Sequence, residues 1–251
     1  MLTRSDIAQQ IVLISHRLYE KGFVSATDGN VSARLANGNI LTTPTSMNKG
    51  RVGMSDLVEV TIEGRPVTLS RQASTELDMH LFIYLQRSDI QAVVHAHPVY
   101  ATGFAAARIP LTECVFPEVV VGLGAIPLAR YATPSTDEVA DSLAPFVKHA
   151  DAILLCNHGV VTYGKDLDDA YFKMEKVEHV AHMTFVARML GGPRPLSGAD
   201  VERLRAISQE SYGKTISESN VCTTSDECRP EEGEEAMKQM IRELLNEKLS
   251  R

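Results

Sequence analysis

The fold class predicted by the sequence is α/β: a layered domain on a largely antiparallel sheet. Three observations predict it. Strand-like and helical segments interleave without the strict strand–helix–strand alternation of a parallel sheet. An Asn37-Gly38 turn joins two short strand-like runs into an early hairpin. No linker or internal repeat divides the chain, so a single domain over 1–213 is expected, followed by a polar segment and a terminal helix over 214–251.

Each element has a local cause. Residues 3–22 carry Ile7, Ile11, Ile14 and Leu18 at helical spacing behind a Thr3-x-x-Asp6 capping box, and Gly22 is the stop. The turn cluster at 26–30 leads into a strand over 31–35, which the hairpin returns over 40–43; 57–62 alternates as a further strand. A helix is expected from Ser74 to Arg87, with Leu77, Leu81 and Leu85 on one stripe. Val93 and Val94 are β-branched and end a buried strand, and Pro98 opens a helix over 99–107. The valines at 119–121 predict a strand. A helix over 136–149, a buried strand over 152–156, the turn Asn157-His158-Gly159 and a strand over 160–163 follow. The longest helix runs over 166–190 to Gly191-Gly-Pro193. Beyond Lys214, residues 215–233 are polar, acidic and expected to be mobile, and 236–249 regain an apolar helical stripe.

Composition excludes several function classes. The 251 residues are 44% apolar and 23% charged, ordinary for a globular chain, and the net charge is -7 without any run of lysine or arginine. A nucleic-acid or anionic-membrane partner is therefore not expected. No apolar stretch is long enough to span a bilayer and the start is not a signal peptide, which makes the expected compartment cytoplasmic. Cys114, Cys156, Cys222 and Cys228 are too sparse and irregular for a disulfide framework or a Cys-x-x-Cys metal site.

The chemistry concentrates at His95-Ala-His97. Alternate side chains of a strand share a face, so the two imidazoles project together and supply two of the three protein ligands of a catalytic zinc. The plainer alternative is that one caps the next helix and the other packs. His158, just past a buried strand and beside Gly159, is the candidate third ligand, with turn stabilisation as its alternative. Glu76 lies in the first turn of a helix, where it either caps or acts as metal ligand and general base. Gly29-Asn30, Thr45-Ser46 and Ser74-Thr75 offer hydroxyl and amide donors to an anion, the last pair at a helix N-terminus; singly, each also serves as a turn or cap. His16, His80, His149, His179 and His182 fall on helices and are assigned to packing or surface. Gly122-Leu-Gly124 lacks a third glycine and is followed by Pro127, so a dinucleotide fingerprint is not supported.

Six motifs in one order carry a resemblance: Asp28-Gly-Asn-Val-Ser32, Thr43-Pro-Thr45, Ser74-Thr-Glu76, Val93-Val-His-Ala-His97, Asn157-His-Gly159 and Tyr212-Gly213. Over residues 7–213 the chain resembles the class II aldolase/adducin family, on its sugar-phosphate aldolase side. The resemblance implies a single α/β/α domain in a cyclic homotetramer with the site at a subunit interface. It implies His95, His97 and His158 as ligands of Zn2+ (Mn2+ or Co2+ being possible) and Glu76 as ligand and base. Asn30, Thr45, Ser46, Ser74 and Thr75, with Gly29 beside them, match the phosphate pocket, and Tyr212 matches a tyrosine that protonates the aldehyde oxygen. The implied reaction cleaves a ketose 1-phosphate to dihydroxyacetone phosphate and an aldehyde through an enediolate that the metal stabilises; a lysine Schiff base is the other route, and no lysine sits in an apolar strand. Family 4-epimerases carry aspartate where Glu76 stands, dehydratase and decarboxylase relatives keep similar ligands, and adducin-type scaffolds lack the full histidine set. Three departures stand out: the aldolase pattern has glycine at Ser46, serine at Thr75, and a neighbouring subunit's tyrosine in the region that here runs over 112–124.

Overall fold

Thr3 accepts from the Asp6 backbone and the Asp6 carboxylate accepts from Thr3 N, so α1 (Arg4–Glu20) starts at the capping box. The chain continues through β1 (Asn30–Arg34), β2 (Ile40–Thr42) and β3 (Val58–Val60) to α2 (Leu77–Gln86), β4 (Ala92–Ala96) and α3 (Val99–Ala106). After α4 (Pro117–Gly122) come β5 (Leu128–Ala129), α5 (Glu138–Leu143), β6 (Ala152–Leu155), β7 (Gly159–Gly164), α6 (Leu167–Met189) and α7 (Gly198–Tyr212). This computed structural model describes residues 2–68 and 70–213 together with 216, 217, 220, 222 and 224.

The strands form one seven-stranded sheet in the order β3-β2-β1-β4-β7-β6-β5, antiparallel except for the β5–β6 pair. Its two faces follow from side-chain alternation. Val94, Leu154 and Val160 point to a core with Ile11, Ile14 and Leu18 of α1 and Met174 and Val177 of α6. Their neighbours Val93, Ile153 and Val161 point to the other core, against Leu81, Ile83 and Tyr84 of α2 and Leu143 of α5. Each such aliphatic chain contributes about 1.5–3 kcal/mol by leaving water. Two helical layers thus flank the sheet, giving the α/β/α arrangement with a largely antiparallel centre. Among the described residues, no helix is long and apolar enough to cross a membrane.

Several expectations are corrected. The valines at 119–121 lie in helix α4, because Pro117 at its first turn pre-sets a helical start and only Val119 and Val120 are buried. Leu85 is 65% exposed, off the α2 core stripe. The 136–149 helix is short: α5 spans Glu138–Leu143, ahead of Pro145. The short β5 and the helix α7 add to the expected elements; α7 opens at Ser197, whose side chain accepts from Asp200 N, and turns Val201 and Leu204 to one side. Cys114 and Cys222 form a disulfide across 108 residues with Cα atoms 5.1 Å apart, a proximity created by the fold and not by spacing. Asn220 and Cys222 are buried, and Asn220 exchanges hydrogen bonds with Leu123 and Ala125, so the expectation of mobility does not hold there. The helix expected over 236–249 lies outside the described residues.

Candidate metal centre and adjoining cleft

Strand register brings the candidate residues together. In the β1–β4 ladder Asn30 stands opposite His95, and in the β4–β7 ladder Ala96 stands opposite Val160. His97 follows the end of β4, and His158 sits in the β6–β7 turn, where Asn157 takes a left-handed φ of 56°. The three ring centroids are 4.8–4.9 Å apart. One nitrogen from each ring lies within 4.8 Å of the others. Two glycines permit the approach. A Cβ on Gly159 would lie 2.5 Å from His97 Cδ2 and 2.6 Å from the Ala96 carbonyl, and one on Gly29, at φ 71°, 2.8 Å from the His95 carbonyl. Gly29→Ala is expected to destabilise the protein by more than about 1–2 kcal/mol, the ordinary penalty of a left-handed alanine, because the backbone clash adds to it. Thermal melting checks this, and an unchanged midpoint would refute it.

The tautomer of His95 is dictated by its neighbour. The Val160 carbonyl can only accept, so His95 Nδ1 donates to it at 2.8 Å and Nε2 keeps its lone pair. That lone pair faces His97 Nε2 at 3.1 Å. Two imidazole nitrogens on one tetrahedral zinc stand about 3.3 Å apart, given zinc–nitrogen bonds of about 2.0–2.1 Å. The spacing and the donor set therefore fit a divalent metal held by His95, His97 and His158.

Glu76 resolves its own two readings. It is the N-cap residue of α2, but its side chain makes no capping hydrogen bond. Instead Oε1 is 3.1 Å from His158 Nε2 and Oε2 3.4 Å from His95 Nε2, while Asn30 Nδ2 donates to Oε2 at 2.8 Å. Asn30 Nδ2 also lies 3.1 Å from Ser74 Oγ, which in addition accepts from Glu76 N. Burial opposes ionisation of Glu76, but the His95 and His158 rings and Asn30 outweigh it and hold the carboxyl below its usual range. His97 Nδ1 stands 3.8 Å from Asp28.

Burial pushes His80, His95 and His97 down to about 4. The rings are neutral at pH 7, the state a metal ligand requires. In the unfolded chain each takes a proton near 6.5, so the fold binds fewer protons between about 6.5 and about 4. Stability from these rings is complete above 6.5 and lost as the pH falls through about 4. The melting temperature of chelator-treated protein is expected to drop steadily across that window; a flat profile would contradict the assignment. His80 lies behind the site, with Nδ1 2.7 Å from Ser32 Oγ.

A cleft of about 320 Å³ runs from this centre to the small-residue clusters. A Pro44–Ala73 bridge and a Thr45 N bond to the Gln72 carbonyl hold the Thr45-Ser46 turn against Ser74-Thr75, and Gly29 and Asn30 complete that wall. Ser46 takes a left-handed φ of 54°, which explains why the resembled pattern prefers glycine there. Ser74 Oγ already accepts, so its proton is free to be donated. The cleft also contains Lys49 and Ser135, which sequence reasoning missed. Lysine is seldom buried, and no local pattern marked Lys49 as an exception. Tyr212 is the last residue of α7.

Comparison with known proteins identifies the family. The profile of the family described as Class II Aldolase and Adducin N-terminal domain matches residues 9–185. The chain belongs to the class II aldolase and adducin family. An L-fuculose phosphate aldolase of Methanococcus maripaludis (strain C5) is 36% identical over 180 residues, covering 72% of this chain and 96% of the relative. A 3-oxo-tetronate 4-phosphate decarboxylase of Escherichia coli O6:H1 is 30% identical over 208 residues, covering 80% and 96%. A solved L-fuculose 1-phosphate aldolase superposes with a TM-score of 0.76 at 31% identity, covering 84% of this chain and 97% of that one.

Proposed function

We propose that this family member is a metal-dependent aldehyde-lyase that cleaves a ketose 1-phosphate to dihydroxyacetone phosphate and an aldehyde. The observation that carries the reading is Glu76: a carboxylate at a helix start that caps nothing and is aimed at three converging imidazoles, one end of a cleft whose other end is rich in hydroxyls. His95, His97 and His158 would hold the metal, zinc in this proposal, with manganese or cobalt as substitutes. When bound, it supplies Lewis-acid stabilisation of negative charge growing on substrate oxygen, worth several kcal/mol.

The chain's own residues handle position and protons. Gly29, Asn30, Thr45, Ser46, Ser74 and Thr75 seat the phosphate. As the carbon–carbon bond breaks, its electron pair stays on the three-carbon fragment, and the Glu76 carboxylate, after taking up a proton from solvent, passes it to that carbon. Tyr212 exchanges the proton of the aldehyde-side oxygen, taking it in cleavage and giving it in condensation. The proposal includes a cyclic homotetramer and a cytoplasmic location. Decarboxylation of a 3-oxo acid phosphate is the second reading, favoured by the 30% identical decarboxylase. Glutamate at position 76 speaks against the epimerases, and the complete histidine set against a scaffold.

The test is a panel of ketose phosphates and 3-oxo acid phosphates offered to metal-loaded protein, with dihydroxyacetone phosphate, epimer and carbon dioxide assayed in parallel. Dihydroxyacetone phosphate formed together with an aldehyde supports the aldolase. Carbon dioxide replaces it with the decarboxylase, and no product from any substrate refutes both.

A further inference from the structure

Among the described residues Lys49 is the one lysine in the wall of the cleft, and it is 1% exposed. Its Nζ donates to the Thr27 carbonyl at 3.0 Å and to the Met47 carbonyl at 2.6 Å. An ammonium has three donors and both of these acceptors are neutral. Among the described residues no carboxylate lies within ion-pairing distance of it. A buried charge without a counter-ion is unfavourable by several kcal/mol, and natural proteins rarely keep one unless a partner arrives. The surroundings say what that partner is. The same wall presents the hydroxyls of Thr45, Ser46, Ser74 and Thr75. A set of neutral O–H donors around one cation matches a tetrahedral oxyanion with three free oxygens, whereas a planar carboxylate could engage only part of it.

We infer that Lys49 is the counter-charge at the anion end of the cleft and selects substrates bearing a phosphate monoester over those ending in a hydroxyl or a carboxylate. Burial pushes its amine down to about 8, partly offset by Asp28 and Glu76, so the group is still mainly charged at pH 7. An anion seated beside it would hold it charged. The inference rests on reading the cleft as a sugar-phosphate site, but it is independent of which bond the enzyme breaks. The competing explanation is mechanical: Nζ merely ties the loop at Thr27 to the turn at Met47.

The two differ in how full-length, zinc-loaded protein responds to inorganic phosphate. Wild type is expected to be stabilised by phosphate and sulfate in thermal melting, and not by acetate at equal ionic strength. Lys49→Met is expected to weaken phosphate binding about ten- to hundredfold, the loss of one charge-assisted contact. Lys49→Arg, which keeps the charge, serves where the methionine variant melts too early to be titrated, and is expected to retain part of the phosphate response. Zinc content measured alongside separates damage at the anion end from damage at the metal end. Phosphate affinity within about twofold of wild type in Lys49→Met would leave Lys49 as a loop tie and overturn the inference. Equal protection of wild type by acetate would overturn it too. Wild type that ignores phosphate altogether would overturn both the inference and the sugar-phosphate reading, whereas phosphate binding without turnover of any substrate would refute only the proposed reaction.

Discussion

His95→Ala is expected to lose the metal and to lower kcat by about a thousandfold or more. The second figure follows from the first: Lewis-acid stabilisation is worth several kcal/mol, and each 1.4 kcal/mol is about a factor of ten in rate. His95 is the right residue to remove because its ring is the most constrained of the three. It is fully buried, and the Val160 carbonyl fixes its tautomer at 2.8 Å. Such an anchor is the usual way a protein orients a metal-ligating imidazole, and losing the ligand removes both the donor atom and its preset direction. The variant also leaves the Val160 carbonyl without its donor, so a lower melting point is expected even in chelator. Elemental analysis of protein purified without chelator should read about one divalent metal per chain for wild type and a small fraction of that for the variant. Near-stoichiometric metal with wild-type turnover would end the case for this centre.

The same three rings show where sequence reading reaches and where it stops. That His95 and His97 share a face follows from strand periodicity, because β-branched Val93 and Val94 announce a strand and alternation does the rest. That His158 joins them is not visible locally. It depends on β6 and β7 folding back beside β4, a pairing between residues more than sixty positions apart; the sequence offered His158 as a candidate from its place past a buried strand, with turn stabilisation as its alternative, and only the family likeness chose between them. Glu76 could be found but not interpreted, since a glutamate in a first helical turn has the same sequence whether it caps or faces a cleft. Lys49 was invisible: its burial is set by the Thr27 and Met47 carbonyls, which come from two different loops. The valines of α4 misled because β-branched residues are enriched in strands for reasons of packing, and here a proline start and a one-sided core override that preference. Cys114 and Cys222 met through the fold across 108 residues, a distance at which spacing carries no information.

Glu76→Gln separates the two roles given to that carboxylate. Glutamine keeps the size of the side chain, and its amide oxygen can still accept from Asn30 Nδ2, while the acceptor facing His158 is replaced by a donor. What disappears is the negative charge beside His95 and His158 and the capacity to carry a proton. If Glu76 acts chiefly as the base, kcat should fall about 10²- to 10⁴-fold, the usual contribution of a positioned acid–base group. Metal should stay close to wild-type content, because three imidazoles already make up the ligand set of a catalytic zinc. KM should change little if, as proposed, the phosphate is seated at the other end of the cleft. If Glu76 is instead mainly a ligand, metal content and kcat should fall together, and added metal should restore much of the rate. The ratio of rate lost to metal lost therefore distinguishes the roles, and a variant that keeps both its metal and its wild-type rate would remove Glu76 from the mechanism. The reading as base is preferred here on geometry. The carboxylate is presented to the rings by Asn30 and by the start of α2, in the wall of the cleft that a substrate carbon would share with it.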